Sequence, residues 1–235
     1  MAFRNRRVVN ASGAASADKV RSKVTRIVIL LIAMLFIVGF LAASIYDRFG
    51  SLTISVGPIE DSRYSLALYE RSDFVDPAAV ISAKTIPNVT NISEDSIDRV
   101  NNIEGITYQI YGGQHNGENY FAYTFFVENN GDETFSYRYT LKILDSTNGL
   151  EKGIRVRLYI NGNYTTYGMY DERLPAHISD FRDAQTVVQD KRDNFTKGEH
   201  DRYTVIIWIE GDDPDTTDSM IGGTIKFDMK FEVVS

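Results

Sequence analysis

The sequence predicts an all-β protein: an antiparallel β-sandwich of jelly-roll type, preceded by a single transmembrane helix. Three observations predict it. Apolar residues recur at every second position in several short runs, Asn-Gly turns separate those runs, and one uncharged stretch stands behind a basic N-terminus. Successive side chains of a strand face opposite ways, so a period-two run buries one face and wets the other.

Residues 1–26 hold seven Lys/Arg against one Asp and read as a basic cytoplasmic tail. Its charge could touch anionic lipid or nucleic acid, but orienting an anchor is the plainer role, and nucleic acid is not an expected partner. Residues 27–46 are the predicted anchor. Within them "IVILLIAMLFIVGFLAASI" (residues 27–45) carries no charge. At about 1.5 Å per residue its length nearly matches a hydrocarbon core of roughly 30 Å. Arg4, Arg6, Arg7, Arg21, Lys23 and Arg26 precede it, so the positive-inside rule leaves the N-terminus in the cytoplasm and residues 47–235 outside. A cleaved signal peptide is the competing reading, with "LAAS" at residues 41–44 as the cleavage region and a secreted domain as its product. The apolar stretch exceeds the roughly 15 residues of a signal h-region, which favours an uncleaved anchor.

In the outer domain "SLTISV", "RYSLALYE" and "ITYQIY" read as the first strands, and "SEDSIDRV" as a helical turn or two with Ser93 at the N-cap. "FAYTFFVE" puts Phe121, Tyr123, Phe125 and Val127 on one face. "FSYRYTLKI" does the same from Phe135 to Ile143, and "IRVRLYI" opposes Ile154, Val156, Leu158 and Ile160 to Arg155 and Arg157 on a wet face. "YTVIIWIE" is apolar on both faces and suits a central strand covered on both sides. "TIKFDMKFEV" alternates to the end of the chain and is a candidate edge. "NNGDE" and "NGN" carry the Asn-Gly pairs that tight hairpins favour, because both central residues need positive φ. Residues 175–200 are polar and poorly patterned, and read as a long excursion from the sandwich.

Composition narrows the chemistry. The chain has 235 residues, a net charge of −7 and no cysteine. That excludes disulfides, thiolate metal sites and a cysteine nucleophile, and makes a bacterial surface protein a better expectation than a eukaryotic ectodomain. The three histidines, His115, His177 and His200, lie in no zinc-binding helix motif, and no nucleophile elbow, P-loop or dinucleotide fingerprint is present. Asp171 and Glu172 are adjacent acids of the kind usually found solvated on a loop. Catalysis is therefore the minority reading. The triplets Asn88-Val-Thr, Asn91-Ile-Ser, Asn163-Tyr-Thr and Asn194-Phe-Thr are N-glycan acceptors in a eukaryotic secretory pathway; here they mark exposed segments.

The stretch "EGDDPDTTDSMIGG" concentrates acids between the last two strands. Asp212, Asp213, Asp215 and Asp218 are candidate calcium ligands, since a hard cation takes six to eight oxygens. The spacing is not that of an EF-hand. The other reading, which the sequence favours, is a structural turn: Pro214 fixes the bend, Asp218 or Thr217 caps a helical turn, and Gly222-Gly223 swings the chain into the last strand. No other cofactor is expected.

"NISEDSIDRV", "HNGENYFAYTFFVENNGDETFSYRYTLKI", "GIRVRLYINGN" and the segment at residues 203–233 resemble the camelysin/TasA-type exported surface proteins of Gram-positive bacteria. The resemblance runs from about Leu52 to the end, and "YTFFVENNG" and "WIEGDDP" are its most specific pieces. It implies an exported β-sandwich, in some members handled by a specialised signal peptidase and polymerised into biofilm matrix fibres. The long basic tail and uncleaved anchor depart from the family's export segment.

The expected function is that of a membrane-anchored cell-surface or matrix protein that assembles with itself or with another surface protein through β-strands. Fibre-forming relatives join subunits by strand donation, in which main-chain hydrogen bonds supply affinity. The candidate donor here is "FGSLTISVG", with Leu52, Ile54 and Val56 as the inserted side chains. Two alternatives stand beside it: a camelysin-like metal-dependent surface peptidase, for which no zinc motif is present, and an adhesive or carbohydrate-binding module.

Overall fold

The computed structural model describes residues 27, 28, 30–32, 34, 51–99 and 112–234. The chain divides into two units, Met1–Tyr46 and Asp47–Ser235. Of the first, the described residues are helical, and no helix among the described residues is long and apolar enough to cross a membrane. Most of the expected anchor, the whole basic tail and the expected strand "ITYQIY" lie outside the described residues.

The second unit is all-β. In chain order its elements are β1 (Ser51–Val56), β2 (Leu66–Tyr69), β3 (Val80–Ser82), α1 (Glu94–Asp98), β4 (Gly113–Gln114), β5 (Tyr120–Asn129), β6 (Phe135–Ser146), α2 (Leu150–Gly153), β7 (Ile154–Ile160), β8 (Asn163–Gly168), β9 (Ser179–Asp180), β10 (Thr186–Phe195), β11 (His200–Ile209) and β12 (Ile225–Val234). One sheet has the order β10-β6-β12-β1-β3. The other runs β2-β5-β11-β7-β8-β9, with β4 also paired to β5.

The predicted alternation determines the packing. Phe121, Tyr123, Phe125 and Val127 of β5, Tyr203, Val205 and Ile207 of β11, and Ile154, Val156 and Leu158 of β7 face Tyr137, Leu141, Phe227, Met229 and Phe231 of the other sheet in one core. Aromatic rings dominate it: Phe231 meets Phe125 and Tyr203 edge-on, with centroids 5.8 and 5.1 Å apart. The outer face of the second sheet is covered as well. Ile97 of α1 seals Ala122, Ile206 and Trp208, which explains why β11 is apolar on both sides. At the β7–β8 turn, Asn161 and Gly162 take φ of 51° and 90°, as the Asn-Gly pair predicts.

Four expectations are corrected. β12 is not an edge: it lies between β6 and β1, because β1 pairs with it in parallel from Ser51↔Lys226 to Val56↔Phe231. That pairing and the β8–β9 pairing also make the sheets mixed rather than purely antiparallel. Residues 175–200 are not an excursion but contain β9 and the ten-residue edge strand β10. Arg155 and Arg157 do not face water; both are buried.

Candidate functional site

Two places collect the predicted site residues. The first is the seam around β1. Leu52 and Ile54 point into the core, while Val56 is partly buried against it. β1 is held on one side by β12 and on the other by β3, which contributes only Thr53↔Ser82, Ile54↔Ile81 and Ser55↔Val80. The first of the described strands therefore fills a slot between two elements that follow it, one of them the last described strand of the domain.

The second is an acid-rich cleft of about 200 Å³ on the outer side of the β7 end of the second sheet. Glu94 and Asp95 come from the start of α1, Arg155 from β7, Asp171 and Arg173 from the loop after β8, and Glu210, Asp212 and Asp213 from the loop after β11. The loop between β11 and β12 ends in a 3-10 turn, Asp218–Met220, and Gly222 with φ 74° leads into the last strand. The carboxylates do not gather around a common point, because most are already committed. Arg155 donates to Asp213 at 2.5 Å, with both side chains buried. Arg173 forks onto Asp171 at 2.7 and 2.5 Å and reaches Asp215 at 3.0 Å. That fork holds the Asp171 carboxyl down to about 2. Glu210 accepts from the Trp208 indole N–H at 2.9 Å and from the backbone N–H of Asp212.

Beside the cleft Arg157 acts as a second clamp. Its guanidinium donates to Asp98 at 2.6 Å, to Glu94 at 2.7 Å and to Thr166 at 2.9 Å, and lies over the rings of Tyr164 and Trp208. His177 meets the other oxygen of Glu94 at 2.9 Å. The arginines thus pin α1 and both loops to the sheet. Asp212, Asp213, Asp215 and Asp218 were candidate calcium ligands beside the favoured reading of a structural turn; among the described residues no group of three or more His, Cys, Asp or Glu is placed to hold a metal ion. Two of the loop's aspartates are engaged by arginines, Asp213 by Arg155 and Asp215 by Arg173, and Arg155 was read from the sequence as solvated.

The histidines occupy separate environments. His115 is buried beside Thr124, His177 is at the cleft rim with Glu94, and the His200 ring lies 4.6 Å from that of Phe74. Sequence reasoning also missed a polar tie across the core. Tyr137 of β6 donates to buried Asp201 of β11 at 2.6 Å, and Arg192 of β10 and Asn161 bond the same carboxylate. Alternation placed Tyr137 inside, but nothing local indicated the hydroxyl's partner 64 residues on.

No family model matches this chain, and no curated protein does. Among solved structures it is similar to a β-glucosidase from Kluyveromyces marxianus in complex with glucose, at 14% identity over 72% of this chain and 15% of that one, with a TM-score of 0.25. A selenomethionine-labelled form of the same enzyme gives 14% identity, 70% and 17% coverage, and a TM-score of 0.24. The chain spans less than a fifth of those proteins.

Proposed function

We propose that this protein is a membrane-anchored surface or matrix protein that assembles by exchange of its first strand, β1, between copies. The observation that carries the reading is the position of β1. It is the first strand after the apolar segment, it buries Leu52 and Ile54, and the strand on its far side is three residues long. Its departure would turn β12 into an open edge beside an apolar slot, and the β1 of another copy has the sequence that fits that slot.

The existing edges support exchange over simple edge-to-edge addition. β3, β9 and β2 are three, two and four residues long, and β10 carries Asp190, Lys191, Arg192 and Asp193 with register breaks near both ends. Short, charged or bulged edges resist pairing with other chains. The camelysin/TasA resemblance, the basic tail and the length of the apolar stretch support export, a single-pass anchor and a jelly-roll-like sandwich outside the membrane.

Residues 47–235 should form concentration-dependent assemblies in light scattering, and the same unit lacking Ser51–Val56 should not. A synthetic SLTISV peptide should bind the truncated form. An intact unit that stays monomeric at every concentration sinks the reading.

The carbohydrate-binding alternative keeps one observation in its favour. Tyr170, next to Asp171 in the chain, is 68% exposed and offers a ring on which a sugar face can stack. Saccharide binding that is lost in Tyr170→Ala would support it.

A further inference from the structure

We propose that Asn163 is a modification site, the acceptor of an N-linked glycan. Among the described residues of the domain five asparagines bond through their side chains, and five, Asn130 and the four of the triplets, do not. Asn116, Asn119, Asn129, Asn148 and Asn161 use their side-chain amides in structural hydrogen bonds. Asn88, Asn91, Asn163 and Asn194, the four with Ser or Thr two positions on, are all exposed, and among the described residues none makes a side-chain hydrogen bond. A fold that needed these four amides for itself would have engaged them.

Asn163 is the best presented of the four. Asn163, Tyr164 and Thr165 are exposed throughout, and they follow the Asn161-Gly162 turn at the tip of a hairpin. β9 covers only Tyr167 and Gly168 of β8, so the outer edge of residues 163–166 has room for a bulky group. The hydroxyls of all four triplets are engaged, that of Thr165 with Tyr167, so what sets the Asn163 triplet apart is the exposure of its middle residue. Phe195 is in the core and the Thr196 hydroxyl is bonded to Glu199; Thr90 is bonded to Asn119; the Ser93 hydroxyl contacts Ser96.

The chemistry requires a polyprenyl-pyrophosphate-linked oligosaccharide as co-reactant and a transferase outside the membrane. Asn163 Nδ2 attacks C1 of the reducing-end sugar and a C–N bond forms. The C1–O bond to pyrophosphate breaks, polyprenyl pyrophosphate departs with its electron pair, and the amide gives up one proton to the transferase base. Nothing is oxidised or reduced. A glycan there would cover the open edge of β8, adding to the edge protection already described. The inference rests on the proposed outward orientation of residues 47–235, but not on the Gram-positive setting that the resemblance implies.

The test is glycopeptide mapping of the full-length chain purified from membranes of cells that make it. Trypsin releases residues 158–173, which contain Asn163. Asn161-Gly162 in the same peptide is prone to spontaneous deamidation, so enzymatic glycan release is run in heavy-oxygen water and the labelled residue located by fragmentation. The expected result is a glycan on Asn163 that is lost in Thr165→Ala and kept in Thr165→Ser. A bare Asn163 in a chain whose domain is cleaved by protease added outside intact cells overturns the inference alone. A bare Asn163 in a chain sheltered from that protease overturns it together with the orientation it rests on.

Discussion

Leu52 of β1 and Phe227 of β12 stand side by side in parallel register, each only 1% exposed. The contact joins the first described strand of the domain to the last, so the integrity of the fold depends on a segment at the start of the domain. Leu52→Ala should lower the stability of residues 47–235 by about 2–5 kcal/mol, the range for emptying a buried leucine site. Urea unfolding would show a lower midpoint at unchanged slope. A loss well under 1 kcal/mol would mean that β1 is not integral to the core.

Arg155 and Asp213 form a pair with both side chains at least nine-tenths buried. Asp213→Ala should cost about 3–5 kcal/mol, because it strands a guanidinium out of water. Asp218→Ala, on the exposed side of the same loop, should stay within about 0.5 kcal/mol of the native protein. A cation would have to displace arginines from Asp213 and Asp215, so millimolar calcium should leave the unfolding temperature where a chelator leaves it. A stabilisation that saturates with calcium would restore the cation-site reading.

His115 is buried with its Nε2 2.9 Å from Thr124 Oγ1, and burial pushes the ring down to about 4. In the unfolded chain a histidine titrates near 6.5. Between those values the unfolded chain holds the proton and the folded chain does not, so stability rises with pH. The contribution is complete above pH ~6.5 and is lost as pH falls toward 4, on the order of 3 kcal/mol across the window. Unfolding measured from pH 7 down to 4.5 should show this slope in the native protein and its loss in His115→Gln. Equal slopes in both would place the sensitivity elsewhere.

Strands with one apolar and one more polar face were legible in the sequence, because period two survives wherever one side meets water or polar partners instead of the core. β5, β6, β7 and β12 stand where the alternation put them, and the doubly apolar β11 is central and covered on both faces. β10 was illegible for the opposite reason. At a sheet edge, Gln189 to Arg192 need bury neither face, and the charges that protect the edge erase the pattern. Arg155 and Arg157 read as solvated because a lone arginine on a strand usually is. Their burial depends on Asp213, 58 residues on, and on Glu94 and Asp98, about 60 residues back, which no local spacing reveals. The position of β12 inside its sheet was hidden for the same reason, since its outer neighbour is β1, at the other end of the domain. Of the candidate site residues, Leu52 and Ile54 were legible as buried strand positions, while the partners of the acidic loop were not.

Strand exchange through β1 is tested most directly by a reversible lock. Ala83 N donates to Leu52 O and Val56 N to Ala79 O, so the hydrogen-bonded pairs of β1 and β3 fall on Leu52, Ile54 and Val56. Thr53↔Ser82 is then a non-hydrogen-bonded pair with Cα atoms about 4.5 Å apart, within reach of a disulfide. The chain has no cysteine of its own, so Thr53→Cys with Ser82→Cys gives one defined bond. Light scattering of residues 47–235 carrying both changes should find monomers when oxidised and growing assemblies once dithiothreitol is added. Assemblies that form equally with the bond closed, or a reduced chain that never leaves the monomer, would contradict the account.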